Sequence, residues 1–202
     1  MKKLKFFYFL FPALLLISCG GSENTYSLKT IEGHNVVVGS ENGLMWYMTR
    51  DTINEAENLK RRRFSEAVSV CAGLEHAGFT DWRLPDIDEL RTIVRGYGDI
   101  ETGGRCAVSE SCLKKVCLTK NDRGANDHSC SNMDEGSGGP GFEGCYWDEV
   151  WEENVCGEFW SSSEVIQEGP ESIWLIDFSK PVLFLQSTSS ANTGFVRCVR
   201  EN

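Results

Sequence analysis

The sequence predicts an α+β domain carried behind an export leader, and three observations support that reading. Hydrophobic periodicity changes along the chain from short β-type runs, through two helical stretches, to several short strands. Residues 97–157, between the helices and the strands, are rich in glycine, serine, acids and cysteine and show little periodicity. The 202-residue chain holds nine cysteines, and its start has the make-up of a secretory signal.

The leader comes first. Lys2, Lys3 and Lys5 precede an apolar run from Phe6 to Ile17, and small residues follow it. Basic start, short apolar core and small exit residues mark residues 1–18 as a signal peptide, too short to span a bilayer comfortably. The string "LLISC" at 15–19 resembles the bacterial lipobox, which implies cleavage before Cys19 and acylation of its thiol. Acyl chains hold a protein to a membrane at about 0.8 kcal/mol per buried CH2, so such a cysteine anchors the chain without a helix. Gly20 behind the cysteine resembles the arrangement that lets lipoproteins reach the outer membrane. Residues 19–28 read as a flexible tether, and 29–202 as the domain.

Within the domain, "NVVVGSENGLMWY" gives two β-type runs around an Asn42-Gly43 turn. "RFSEAVSVCAGLEHAG" sets Phe64, Ala67, Val68, Cys71 and Leu74 at helical spacing, with Gly78 as the expected stop. In "WRLPDIDELRTIVRG", Pro85 forces Trp82 to Leu84 toward extended geometry. Asp86 with Glu89 fits a capping box, Ile87, Leu90, Ile93 and Val94 face inward, and the helix runs to about Arg95 before Gly96. After residue 157, "EFWSSS", "SIWLIDF", "PVLFLQS" and "GFVRCVR" alternate apolar and polar residues as antiparallel strands do.

Charge and cysteines narrow the function classes. Loss of three lysines with the leader takes the net charge from −10 to −13, which repels phosphate backbones and gives no nucleic-acid footprint. The basic run Lys60 to Arg63 reads as a solvated helix start, with contact to anionic glycans as the other option. Eight cysteines remain besides Cys19: Cys71, Cys106, Cys112, Cys117, Cys130, Cys145, Cys156 and Cys198. An even number in an exported chain implies four disulfides, and the absence of paired C-x-x-C knuckles disfavours zinc. Cys145 with Cys156 is the favoured local bridge.

Five strings occur in one order: "GLMW" at 43–46, "FSEAVSVCAGL" at 64–74, "DWRLPDIDEL" at 81–90, "FWSSS" at 159–163 and "FVRCVR" at 195–200. Together they resemble the C-terminal domain of the Legionella collagen-like protein, over roughly Lys29 to the C-terminus. The resemblance implies a C-type-lectin-like domain: two helices flanking a short antiparallel sheet that joins the termini, with a long disulfide-rich loop region as its variable face. It also implies a bridge between the first helix and the last strand, here Cys71 with Cys198. More distantly the family is similar to formylglycine-generating enzymes, whose R-L-P-x-x-x-E string is matched by Arg83, Leu84, Pro85 and Glu89. Those enzymes need a reactive cysteine pair near the C-terminal end, whereas Cys198 alone follows Cys156 here.

The remaining candidates point away from catalysis. Ser161, Ser162 and Ser163 lack a G-x-S-x-G elbow and a nearby histidine, and read as strand-end hydrogen bonders. His34, His76 and His128 form no ligand spacing. Lectin-type calcium strings are absent, although Asp122, Asp127, Asp134 and Glu135 offer hard oxygen ligands in an acidic loop, so calcium stays open. Trp174 and Asp177 fit an alternating strand. The expectation is therefore a non-catalytic ligand-binding or adhesion module on a cell-envelope lipoprotein, as the family's adhesin namesake implies. A purely structural envelope lipoprotein is the alternative, with a formylglycine-generating-enzyme-like catalyst as the remaining one. Tyr146, Trp147 and Trp151 are the candidate contacts for a glycan or protein ligand, with filling a small core beneath the loops as their other role.

Overall fold

Two short apolar-rich runs separated by Glu32-Gly33 give the first hairpin, β1 (Tyr26–Ile31) with β2 (His34–Gly39). Both turn residues have positive φ, 51° and 82°, as the tight turn between twisted strands demands. β3 (Leu44–Tyr47) follows through the expected Asn42-Gly43 turn, and β7 (Val199–Glu201) adds to it, closing an antiparallel sheet in the order β1-β2-β3-β7. A second antiparallel sheet, β4-β5-β6, comprises Glu158–Val165, Ser172–Asp177 and Val182–Ser187. The two helices are α1 (Phe64–Ala72) and α2 (Ile87–Thr92). The computed structural model describes residues 24–48, 60–96, 102, 108, 139–141, 144–151, 155–165, 171–180, 182–188 and 191–202.

The chain is thus mixed α and β, with the N-terminal strands meeting the C-terminal one, but it has two small sheets where one was expected. Several boundaries also move. Residues 26–28, read as the end of a tether, belong to β1, which begins at Tyr26. Burial of the Tyr26 ring is the reason: its hydroxyl meets Thr92 Oγ1 at 2.7 Å, and desolvation pushes the phenol pKa up. α1 stops at Ala72 with Gly73 as its cap, not at Gly78. Gly78 instead completes a tight turn with Ala77 (φ 53° and 78°), across which His76 and Phe79 exchange backbone hydrogen bonds of 3.1 and 3.0 Å. α2 ends at Thr92 rather than near Arg95, since Val94 pairs with Trp147 and the Arg95 N–H donates to Tyr146 O. Tertiary pairing takes the last turn.

Packing explains why the strands do not alternate as expected. Val36, Val38, Met45, Tyr47, Trp160, Ile173 and Leu175 belong to one buried cluster with Ala67 and Cys71 of α1. Val37, Trp46, Phe159, Trp174 and Ile176 belong to another, with Ile87 and Leu90 of α2. Both faces of the central strands are covered, so "VVV" at 36–38 and "IWLI" at 173–176 read as continuous apolar runs. Cys71 and Cys198 are bonded, as the resemblance implied, with Cα atoms 5.4 Å apart. Closing 127 residues removes about 5 kcal/mol of unfolded-state entropy in the chain-entropy model.

The capping box forms as expected. Asp86 Oδ1 accepts from Glu89 N at 2.7 Å, and Glu89 Oε2 accepts from Asp86 N at 2.7 Å. Glu89 is also gripped by both Arg83 nitrogens at 2.7 Å, which raises the arginine's pKa. Burial, aided by the Glu89 and Asp88 charges against the opposing pull of the cap hydrogen bond, lifts the Asp86 pKa. A raised carboxyl pKa adds stability below the unfolded value of about 3.9 and loses it as pH climbs through the folded value. Ionised Asp86 therefore carries a cost at neutral pH that a neutral cap would not. Asp86→Ala should cost about 0.5–2 kcal/mol in denaturant titration, whereas Asp86→Asn keeps an acceptor and should be at least as stable as the parent at pH 7. An Asn variant as weak as the Ala variant would contradict this assignment of the cap.

Candidate functional site

The candidate surface is built on the cysteine-rich segment, and its described base is a set of aromatic residues tied between α2 and the second sheet. Cys145 and Cys156 are bonded, closing a ring that contains Tyr146, Trp147 and Trp151. Asp148 shapes the ring: its Oδ1 accepts from Val150 N at 3.0 Å and its carbonyl from Trp151 N at 3.1 Å, forming a single 3-10 turn at Glu149–Trp151. On either side, Tyr146 N donates to Phe178 O at 2.9 Å and Tyr146 O accepts from Arg95 N at 3.0 Å. Glycines make the approach possible. A Cβ on Gly141 would sit 2.3 Å from the Trp147 ring, and one on Gly139 2.2 Å from Cys145 O.

Trp147 and Trp151 have 0% exposure and Tyr146 4%, so none of the three offers a ring face to a sugar. Their role as exposed ligand contacts is corrected to that of core fillers. Trp147 packs 5.1 Å from Phe178 and 5.7 Å from Phe159; Trp151 packs 5.6 Å from Tyr26 and 6.0 Å from Trp46. Neither indole N–H makes a hydrogen bond, so apolar and π contacts hold them. Little periodicity in residues 97–157 does not keep them out of the core, because Val108, Cys145 to Trp147 and Trp151 join the main cluster.

At the centre of these rings lies a residue the sequence reading passed over. The Arg197 guanidinium is 4.1 Å from the Trp151 centroid, 5.0 Å from Trp147 and 5.4 Å from Phe159, and the residue is 2% exposed. Desolvated cation–π contacts reach about 2 kcal/mol or more. A signal was available: "FVRCVR" sets Arg197 between Val196 and Cys198 of a terminal strand, where a cation needs a reason. Asp88 and Arg91 were also unforeseen. Asp88 Oδ1 accepts from Arg91 Nη1 at 2.5 Å and from Val108 N at 2.9 Å, fixing the cysteine-rich segment to α2.

The remaining candidate groups are absorbed by the fold. Ser161 Oγ donates to Trp174 O at 2.6 Å, Ser162 Oγ to Pro85 O at 3.2 Å, and Ser163 Oγ accepts from Ile87 N at 2.9 Å. Ser162 and Ser163 thus pin the start of α2 to β4, and Ser161 ties β4 to β5. His76 places Nε2 3.0 Å from Asn35 O and lies edge-on to His34 and Tyr47, each at 4.7 Å. Among the described residues no three His, Cys, Asp or Glu side chains gather as a metal site, and no helix is long and apolar enough to cross a membrane. Cys19, Cys106, Cys112, Cys117, Cys130, His128 and the acids Asp122, Asp127, Asp134 and Glu135 lie outside the described residues.

The five strings of the sequence therefore meet in one structure. Trp46 and Arg83 both pair with Val199, Cys71 bonds Cys198, Phe159 pairs with Phe195, and Ser162 and Ser163 bond the start of α2. The family model of the Lcl C-terminal domain matches residues 35–200. This chain belongs to that family. The matched region of the Lcl C-terminal domain begins in β2 and ends in β7, so it contains both helices, the second sheet and the cysteine-rich segment. No curated protein and no solved structure gives a match.

If Trp147 and Trp151 are core residues, replacing either by alanine leaves a cavity beneath the Cys145–Cys156 ring. Thermal or denaturant unfolding should show a loss of about 3–5 kcal/mol for each variant. Unchanged stability would return them to the surface role.

Proposed function

We propose that this chain is a cell-envelope lipoprotein, acylated at Cys19 and carried to the outer membrane. Its C-type-lectin-like domain serves there as a non-catalytic ligand-binding or adhesion module. The observation that supports this best is membership of the Lcl C-terminal domain family across residues 35–200, joined to a scaffold that spends its reactive groups on itself. Ser161, Ser162 and Ser163 are strand and helix ties, and Cys198 is bonded to Cys71 rather than offered as a reactive thiol. A rigid frame bearing a long, polar, cysteine-rich segment suits recognition, since loops on a fixed scaffold vary without cost to the core. The buried tryptophans move the contact role from Trp147 and Trp151 to the polar residues of that segment, with a glycan or a protein as the ligand class.

Arrays of immobilised glycans and polypeptides, probed with the detergent-solubilised protein, test the reading. The comparison is a variant in which residues 109–138 are replaced by a Gly-Ser linker and Cys106 by serine. The intact protein should bind a defined ligand class, and the variant should lose that binding while still unfolding cooperatively. Equal binding by both proteins, or no ligand for the intact one, would favour a structural envelope lipoprotein.

A further inference from the structure

We infer that the end of the domain carrying the base of the cysteine-rich segment is held against the bilayer that bears Cys19, with the β1–β2 turn pointing away from it. This rests on the lipid-anchor reading given above. Asn24 is the first of the described residues. Asn24 and Thr25 are already fixed: Glu41 N donates to Asn24 Oδ1 at 3.0 Å, Thr25 N to Ser40 Oγ at 3.0 Å, and Ser40 N to Thr25 O at 2.8 Å. The Arg95 guanidinium also donates to Asn24 O. Only four residues lie between Cys19 and Asn24, so five Cα–Cα steps set a reach of at most about 18 Å.

What surrounds Asn24 is therefore near the lipid headgroups. Trp151 packs against Tyr26 two residues along, Arg95 N donates to Tyr146 O, and a Cβ on Gly96 would meet Pro140 at 2.9 Å. The other chain end comes to the same place, with Asn202 N donating to Gly43 O at 2.8 Å. β1 then runs away from the tether, about 17 Å over its six residues. At its far end lie Glu32 and Gly33, with the Glu32 carboxylate beside Gly78 and His76 bonded to Asn35 O. The base of the cysteine-rich segment is thus bounded to the membrane side, and the two tight turns at 32–33 and 77–78 to the outer side.

The experiment places one fluorophore, through an introduced azido residue, at Glu149 or Glu41 near the tether, or at Glu75 or Thr80 near the far turns. All four positions are exposed. The full-length protein, extracted from membranes, is reconstituted into phosphatidylethanolamine–phosphatidylglycerol vesicles containing a nitroxide-headgroup lipid. Its acylation is checked by mass spectrometry and its anchoring by vesicle flotation. Glu149 and Glu41 labels should be quenched several-fold more than Glu75 and Thr80 labels, and a long Gly-Ser insertion after Ser22 should erase the difference. Equal quenching in an acylated, floating protein would overturn this inference alone. A protein that neither carries acyl chains nor floats would overturn the anchor reading and this inference together.

Discussion

The last strand segment, Phe195 to Arg200, is where the rest of the structure is joined. Arg83 and Val199 exchange backbone hydrogen bonds of 2.9 Å in each direction, so the lead-in to α2 is paired with the C-terminus. On its other side the segment completes the first sheet through Trp46 and Met45. Further back, Phe195 exchanges hydrogen bonds with Glu158 and Trp160 of the second sheet, at 2.7 and 3.1 Å. Two sheets that share no hydrogen-bonded strand are thereby connected through six residues. Cys198 adds the covalent link to α1, and Arg197 the cation around which the cysteine-rich ring assembles.

That arrangement accounts for the composition of the motifs. Arg200 reaches Asp81 through Nε and Nη2 at 2.7 and 3.1 Å and lies 3.8 Å from the Phe79 ring, so the "D" of "DWRLP" answers the last "R" of "FVRCVR". Two of the three serines of "FWSSS" meet backbone groups at the start of α2: Ser162 donates to Pro85 O, and Ser163 accepts from Ile87 N, one of the amides that a helix start leaves unpaired, while Ser161 donates to Trp174 O of β5. Arg83 with Glu89 then locks the capping box from outside. Catalytic-looking residues are consumed by this interlock.

What could be read from the sequence was local, or was carried by the family strings. The capping box of Asp86 and Glu89 and the Asn42-Gly43 turn are set by neighbouring residues, and both appear where expected. The pairing of Cys71 with Cys198 came from the resemblance. Helix ends were misjudged because tertiary partners decided them: Val94 and Arg95 are taken by Trp147 and Tyr146. The cysteine-rich segment looked featureless because its apolar residues are too few to show a period, yet Tyr146, Trp147 and Trp151 fill space between elements distant in sequence. Periodicity reports one face of one element, and these residues have no regular element of their own. Arg197 and the Asp88–Arg91 pair were missed for a related reason, since charges are assigned to solvent until a partner is known.

Native-state hydrogen exchange of the disulfide-intact protein tests most directly whether the C-terminal segment unites the fold. The informative amides are Arg83, Val199, Tyr47 and Trp160, whose acceptors are Val199 O, Arg83 O, Cys198 O and Phe195 O. If the segment joins both sheets, these amides should exchange only through global unfolding, with the same free energy as the central amides of β2 and β5. Exchange of the joining amides at a clearly lower free energy, with one sheet opening while the other stays protected, would show two independent units and contradict the account.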